Sequence, residues 1–154
     1  MGVMTSTGIV ISVVAGTPAT QDKAGYEALT FVPVGEVTTV PEFGPNVQVV
    51  THEPLATGIT EKFKGFINYG SLALAAALDT EDAGQVVMSA AVTGATKLNR
   101  HSFKLQYQDG AVRYWQGKVF SYTENPGGAN SIVGCTVQLE IETPVLSVAA
   151  PVTP

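Results

Sequence analysis

The residue types that most often perform catalysis are sparse in this chain. Its two histidines are His52 and His101. A catalytic triad needs a hydroxyl and a carboxylate beside an imidazole, and the nucleophile elbow Gly-x-Ser-x-Gly does not occur. A histidine at the edge of a loop is usually a surface residue. The sequence therefore contains no catalytic constellation and predicts that the chain is not an enzyme.

Two groups of side chains could bind a metal ion: His52 with the glutamate that follows it, and Asp79 with Glu81 and Asp82. The acidic trio also fits a helix N-terminus. There Asp79 or Thr80 would cap the helix, and the two later carboxylates would lie in the first turn, where the helix dipole favours negative charge. We favour the cap and expect no metal site.

No loop has the composition of a phosphate-binding loop. The segment 16–25 (GTPATQDKAG) holds two glycines but lacks the Gly-Lys-Ser/Thr ending. It is predicted to be an ordinary loop, and we expect no cofactor.

The composition indicates a protein that is covered by other copies of itself. The chain has 154 residues, which is the size of one domain. Charged residues make up 14%, against roughly 25% in ordinary soluble domains. So little charge on a small domain suggests that much of its surface is buried in an assembly. The net charge of −5 argues against duplex binding by phosphate neutralisation, and Lys62 with Lys64 is the nearest approach to a basic cluster.

Cys135 is the only cysteine, so no internal disulfide can form. It falls in an apolar strand pattern, where a buried small hydrophobic residue is expected. The apolar runs are far shorter than the roughly 20 residues that cross a bilayer. These features predict a protein that folds in a reducing cytoplasm, without a membrane partner.

One helix is predicted, from about Thr80 to Ala91, because apolar residues from Val86 onward recur on one helical face. The preceding run 72–78 (LALAAAL) has the propensity of a helix as well. However, Gly65 and the turn signal at 68–70 break any longer helix, so we favour two strands, 61–67 and 69–78.

The remaining pattern is that of strands. Residues 102–108 alternate between apolar and polar, and the hairpin signal Asp109-Gly110 connects them to a returning strand at 111–123. Residues 131–142 alternate again, with Val133, Cys135, Val137, Leu139 and Ile141 on the apolar face. Further strands are predicted at 8–14, 29–40 and 47–52, with Pro33 marking an edge or a bulge.

The expected fold is mainly β: an antiparallel sandwich or barrel of two sheets with one flanking helix. A single domain fills residues 1–154. It has a flexible N-terminal arm at about 1–7 and an extended C-terminal tail at about 143–154.

Several segments, taken in order, resemble the tail tube (major tail) proteins of long, non-contractile-tailed bacteriophages. The first match is the stretch 16–37 (GTPATQDKAGYEALTFVPVGEV), followed by EFGP at 42–45. The second is the centre, 64–85 (KGFINYGSLALAAALDTEDAGQ). There Tyr69-Gly70-Ser71 begins a strand, and Asp82, Gly84 and Gln85 lead into the single helix. The resemblance spans residues 8–142.

The resemblance implies a structural virion protein. Such proteins form hexameric rings whose inner sheets line a channel, and the rings stack around a tape-measure protein. DNA passes through the lumen without specific binding. The implied partners are other copies of the chain, the tape-measure protein, the tail terminator and the baseplate or tip proteins. The implied location is the virion tail, after assembly in the host bacterial cytoplasm.

Two sets of site residues follow. The polar face of the last strand, Gln138, Glu140 and Glu142, is a candidate lumen lining, although it could equally face outer solvent. The loop that begins at Glu53 and Pro54, and the turn at Asp109-Gly110, are candidates for ring-stacking or intersubunit contacts.

Other functions remain open at this point. A virion decoration protein or adhesin would share the same setting. Exposed Tyr114, Trp115 and Tyr122 would suit a carbohydrate-binding module, whereas the alternation of apolar residues favours packing for them.

Overall fold

The chain is mainly β with antiparallel sheets, as predicted. The structure is a computed structural model and describes residues 3–151. In chain order its elements are β1 (Val10–Val14), α1 (Lys23–Glu27), β2 (Val32–Pro33), β3 (Val37–Thr39), β4 (Asn46–His52), β5 (Glu61–Asn68), β6 (Ser71–Ala77), α2 (Ala83–Thr93), β7 (His101–Gln106), β8 (Val112–Asn125), β9 (Gly134–Ile141) and β10 (Leu146–Val148).

The long strand β8 joins the two halves of the main sheet, whose order is β2-β1-β7-β8-β9-β6-β3. Its first half, up to Gly117, pairs with β7, and from Gly117 onward it pairs with β9. The two halves enclose the larger of two apolar clusters among the described residues. Its buried side chains come from five strands and from α2, and include Ile11, Val13, Leu72, Leu74, Met88, Phe103, Leu105, Trp115, Val137 and Leu139.

Residues 72–77 of the run 72–78 lie in β6 (Ser71–Ala77), which confirms the choice of strand over helix. β6 pairs with β9 along one edge and with β3 along the other. Leu72 and Leu74 point into the core, while the small residues Ser71 and Ala73 are exposed on the opposite face. Burial of alternate leucines and two rows of backbone hydrogen bonds outweigh the helix propensity of the sequence.

The alternating pattern of the last long strand is also largely confirmed. Cys135 and Val137 are buried in β9, as are the other core positions up to Ile141. Val133 is the exception. It precedes β9 and is exposed, so its assignment to the core was wrong. Pro33 lies in β2, at one end of the strand order, as its missing N–H predicts.

A short helix, α1, was not predicted. It falls partly in the segment 16–25, which we expected to be a loop. Tyr26 is buried and stacks on Tyr114 of β8, with ring centroids 4.9 Å apart, and Gln116 Nε2 donates to the Tyr26 hydroxyl at 3.2 Å. A helix of five residues is too short to show an apolar periodicity. The one signal in the sequence was a tyrosine, Tyr26, within an otherwise small and polar segment.

The helix α2 begins later than predicted, and its N-cap is Asp82. The assignment of the cap to Asp79 or Thr80 was therefore wrong. Asp82 Oδ2 accepts the N–H of Gln85 at 3.0 Å, which is the usual N-cap bond to the third helical residue. Asp79 instead accepts the N–H of Glu81 at 3.0 Å and forms a local turn before the helix.

The C-terminal segment docks on the sheet. β10 pairs with the first half of β8, and Thr143 Oγ1 accepts the N–H of Gln116 at 2.9 Å. Of the expected N-terminal arm, residues 1 and 2 lie outside the described residues, as do 152–154 of the expected tail. Residues 3–7 carry neither helix nor strand.

Candidate assembly surfaces

The two histidines differ in burial. His101 is fully buried, not on the surface as we expected, and its Nδ1 hydrogen-bonds the carbonyl of Asn99 at 3.1 Å. Burial lowers the pKa of His101 below its ordinary value, because the charged form would lose its solvation. His52 is exposed at the end of β4.

The metal-binding alternative gains no support within residues 3–151. No three histidine, cysteine or acidic side chains of this range come close enough to hold an ion. The same range contains no helix that is long and apolar enough to cross a membrane.

Residues 82–85 attach the first turn of α2 to the sheet through hydrogen bonds and a close backbone contact. Asp82 Oδ2, besides capping the helix, accepts the N–H of Gly35 at 3.0 Å. Gln85 is buried and donates to the carbonyls of Gly35 and Ala77, at 3.1 and 2.9 Å. Gly84 lies so close to the backbone of Val34 that an added Cβ would be 2.6 Å from its Cα. Each fixed residue of the Asp-x-Gly-Gln pattern therefore has a structural role. Asp82 caps the helix, Gly84 permits its close approach to Val34, and Gln85 hydrogen-bonds the helix to Gly35 and Ala77.

The strands β4 and β5 form a separate two-stranded sheet, which we call the hairpin arm. It spans residues 46–68, and its strands pair from Asn46 opposite Asn68 to His52 opposite Glu61. Among the described elements, β4 and β5 pack extensively only against each other. An isolated two-stranded hairpin is marginally stable in water, so this arm needs a partner.

Both faces of the hairpin arm are apolar and exposed. Paired residues share a face, so Val50 and Phe63 lie on one side, and Val49 lies on the other side with Lys64. Phe66 is 87% exposed and Val49 is 61% exposed. The further exposed apolar residues of this segment are Leu55, Ile59 and Ile67. So much apolar surface on both sides of a thin arm indicates an interaction site.

The candidate stacking residues belong to two different hairpins. Glu53 and Pro54 begin the tip of the hairpin arm, after the last paired residue of β4. Asp109 and Gly110 form the turn between β7 and β8, as the sequence predicted. There Asp109 Oδ1 accepts the N–H of Ala111 at 2.9 Å, and Gly110 has a φ of 95° that favours glycine.

The candidate lumen residues Gln138 and Glu140 lie on the face of β9 opposite the core. They are half-buried, and Gln138 Nε2 donates to Glu140 Oε1 at 3.5 Å. Their neighbours across β6 are the small residues Ala73 and Ser71. Across β8, Ser121 lies opposite Gln138 and Lys118 lies opposite Glu140. This face is thus polar, with small side chains on the β6 side and one lysine beside the glutamate.

Glu142 differs from these two residues. It follows the end of β9 and bridges two cations, Arg100 and Lys118, each 3.7 Å from its Oε2. Two partners offset its negative charge, so it contributes less to an anionic wall than its residue type suggests.

A groove of about 330 Å³ runs beside α2. The helix contributes Val86 and Ala90, both exposed, and β8 contributes the half-buried Tyr122. Asp79 and Glu124 also line the groove, which includes no basic residue. It is therefore an apolar groove with an acidic rim.

The aromatic residues that would suit sugar binding are not available for it. Trp115 is 0% exposed and Tyr114 is 4% exposed, so both were wrong as exposed residues. Tyr122 is half-buried and donates its hydroxyl hydrogen to Gln85 Oε1 at 3.1 Å. These contacts bear out the alternative that the aromatics serve packing.

The same overall fold occurs in solved structures of phage-like tails and injection systems. A chain in the tail of an empty GTA particle, refined with C6 symmetry, superposes with a TM-score of 0.67 at 12% identity, over 96% of this chain and 100% of that chain. The chain has a tail-tube-like fold. A chain of the six-fold symmetrised baseplate of the anti-feeding prophage superposes with a TM-score of 0.64 at 9% identity, over 99% of each chain.

A third similar chain comes from an extracellular contractile injection system, the PVC sheath/tube terminator in the extended state. Its TM-score is 0.65 at 11% identity, over 97% of this chain and 99% of that chain. No protein-family model and no curated protein matches the sequence. At such low identity the comparisons establish the fold alone. They do not single out the long, non-contractile-tailed phages that the sequence resembles.

The apolar surface of the hairpin arm was missed by sequence reasoning. We expected contacts at its tip, whereas the exposed aromatics Phe63 and Phe66 lie along β5. The available signal was that β5 carries apolar residues at both odd positions (63 and 67) and an even position (66), which suits a strand covered on both faces.

Proposed function

We propose that the chain is the structural subunit of a phage-like tail tube and acts by self-assembly, not by catalysis. The observation that carries this proposal is the hairpin arm, whose two apolar faces are exposed in the single chain. An isolated hairpin with exposed apolar faces is marginally stable in water, and other copies that cover it would stabilise it. The shared fold with chains of symmetric tails supports the same conclusion.

In this proposal the subunits form hexameric rings, and the rings stack into a tube of a long non-contractile tail. The tube surrounds a tape-measure protein and ends at a terminator and at a baseplate or tip. It would be assembled in the host cytoplasm and then form part of the virion. The low charge content of the chain suits subunits with neighbours on several sides.

The polar face of β9 is proposed to line the channel. Gln138 and Glu140 provide hydrogen-bond acceptors and a carboxylate, and the one lysine opposite Glu140, Lys118, is paired with Glu142. A wall without excess positive charge does not hold the phosphates of DNA, so the DNA could slide along it. Glu142, with its two cationic partners, would form the end of this strip.

Negative-stain microscopy of the purified chain, together with light scattering across a range of concentrations, tests the proposal. We expect rings or hollow tubes with six-fold end views, at a mass that rises with concentration. A chain that stays monomeric at all concentrations, and also when mixed with a tape-measure protein, would contradict it. Trimers without tubes would favour a decoration protein instead.

A further inference from the structure

We propose that the lysine-bearing face of the hairpin arm of one copy docks into the acidic groove beside α2 of the next copy. This inference rests on the proposed self-assembly and goes further, because it names both halves of one contact. The groove is the surface defined above by Val86, Ala90, Tyr122, Asp79 and Glu124.

The first argument is complementary charge. On the hairpin arm, Lys64 pairs with Val49 and Lys62 pairs with Thr51, so these four side chains share one face. That face carries two lysines, and Glu61 lies on the other face, opposite His52. The groove has two carboxylates and no basic residue. Opposite charges at the rim of an apolar contact orient the partners and select against other arrangements.

The second argument is matched apolar surface. Val49 and Ile67 are exposed on the arm, and Val86 is 52% exposed beside the groove. Bringing these surfaces together removes apolar area from water on both copies. The lysine side chains can extend their methylene stems along the groove while the ammonium groups reach the carboxylates.

The third argument is the position of the two surfaces along β6. The hairpin arm ends at Asn68, just before β6, whereas the groove begins at Leu78, just after it. A strand of seven residues spans roughly 20 Å, so the base of the arm and the groove lie at opposite ends of this strand. A contact between opposite ends of successive copies is heterologous, and it therefore propagates head to tail.

A cysteine cross-link tests this contact. Lys64→Cys and Glu124→Cys are combined in one full-length chain, which is assembled, oxidised and run on a non-reducing gel. We expect a ladder of covalent trimers and larger species. Position 124 lies directly opposite Cys135 in the β8–β9 pair, where two thiols could join within one chain. The double variant and its control therefore also carry Cys135→Ala. The matched control combines Lys64→Cys with Lys23→Cys, which places the second thiol on the exposed surface of α1, and we expect no ladder from it.

The outcomes separate this inference from the proposed function. Rings or tubes that form without a ladder, or an equal ladder in the control, would overturn the docking and leave the tail-tube proposal standing. A wild-type chain that does not assemble under any condition would overturn both. Covalent dimers without larger species would also overturn it, because they indicate a symmetric contact.

Charge reversal provides a second, independent measurement. Lys64→Glu should raise the protein concentration needed for assembly roughly tenfold, since like charges would then meet. Adding Glu124→Lys to the same chain should restore assembly to near the wild-type concentration. Lys23→Glu changes the net charge equally and should have little effect. Unchanged assembly of Lys64→Glu would overturn the proposed contact.

Discussion

Gln85 Nε2 donates to the carbonyl oxygen of Ala77 at 2.9 Å, which ties the first turn of α2 to the end of β6. The same nitrogen donates to Gly35, and the amide oxygen accepts from the N–H of Asp79 and the hydroxyl of Tyr122. Both donor hydrogens and both acceptor positions of this buried amide are thereby used. One side chain thus joins the helix to three other parts of the fold.

We expect Gln85→Met to destabilise the protein strongly. Methionine matches the length of glutamine but leaves buried backbone groups without partners, each at a cost of about 1–3 kcal/mol. The free energy of unfolding should fall by about 2–4 kcal/mol, as measured by urea denaturation. Gln106→Met, at an exposed position of β7, is the control and should change it little. Equal effects of the two substitutions would contradict the role of the network.

The capping residue of α2 can be tested directly. Asp82→Ala removes the bonds to the N–H groups of Gln85 and Gly35, so the free energy of unfolding should fall by about 1–2 kcal/mol. Thr80→Ala changes a residue that lies outside the helix and should have a much smaller effect. Thermal or urea unfolding followed by circular dichroism measures both. A larger loss from Thr80→Ala would place the cap where the sequence first suggested it.

The substitution Gly84→Ala should destabilise the protein, although alanine is the better helix former. Helix propensity alone would make Gly84→Ala stabilising by about 1 kcal/mol. The added Cβ would meet the backbone of Pro33 and Val34, however, so we expect a net loss of stability. Gly16→Ala is a suitable control because nothing lies within 4 Å of the added Cβ. A more stable Gly84→Ala protein would show that α2 can move away from β2.

Burial of His101 should make the stability depend on pH. Its pKa is lowered from 6.5 by loss of solvation, so below about pH 6.5 the unfolded chain takes up a proton that the folded chain resists. The contribution of this residue is therefore complete above pH 6.5 and decreases as the pH falls. His101→Gln should reduce the loss of unfolding free energy between pH 7 and pH 5, measured with urea, whereas His52→Gln, at an exposed position, should keep it. An unchanged slope in His101→Gln would contradict this prediction.

Sequence patterns correctly predicted the elements whose local residue preferences match the burial that the fold imposes on them. β9 alternates because one face meets the core, and the turn at Asp109-Gly110 follows from glycine's access to positive φ. The start of α2 was misplaced because three neighbouring residues, Asp79, Thr80 and Asp82, can each cap a helix. Only the three-dimensional position of Gly35 selects Asp82.

The candidate site was less predictable for a physical reason. Sequence patterns report burial inside one chain, whereas the hairpin arm buries its apolar residues only in an assembly. Phe63 and Phe66 therefore look like core residues in the sequence, and the absence of a covering element becomes visible only in the structure. The same limit applies to the groove beside α2, which joins residues from the helix with Tyr122 of β8.

Removing most of the hairpin arm should separate folding from assembly. Val47 and Ile67 lie opposite each other, so an Asn-Gly turn can join them in place of residues 48–66. The rest of the chain keeps its core, and we expect circular dichroism and urea unfolding close to those of the full chain. Rings and tubes should be lost, as judged by light scattering and negative-stain microscopy.

A version of the arm with the same length but less exposed apolar surface controls for the deletion. Replacing Val49 and Phe66 by threonine retains the strands but removes exposed apolar area that other copies would cover. This variant should fold and should assemble only at a concentration at least roughly tenfold higher than the wild-type chain needs. Tubes that form equally well from the deletion variant would show that the arm is not an assembly element, because the contacts that hold the tube would then lie elsewhere on the subunit.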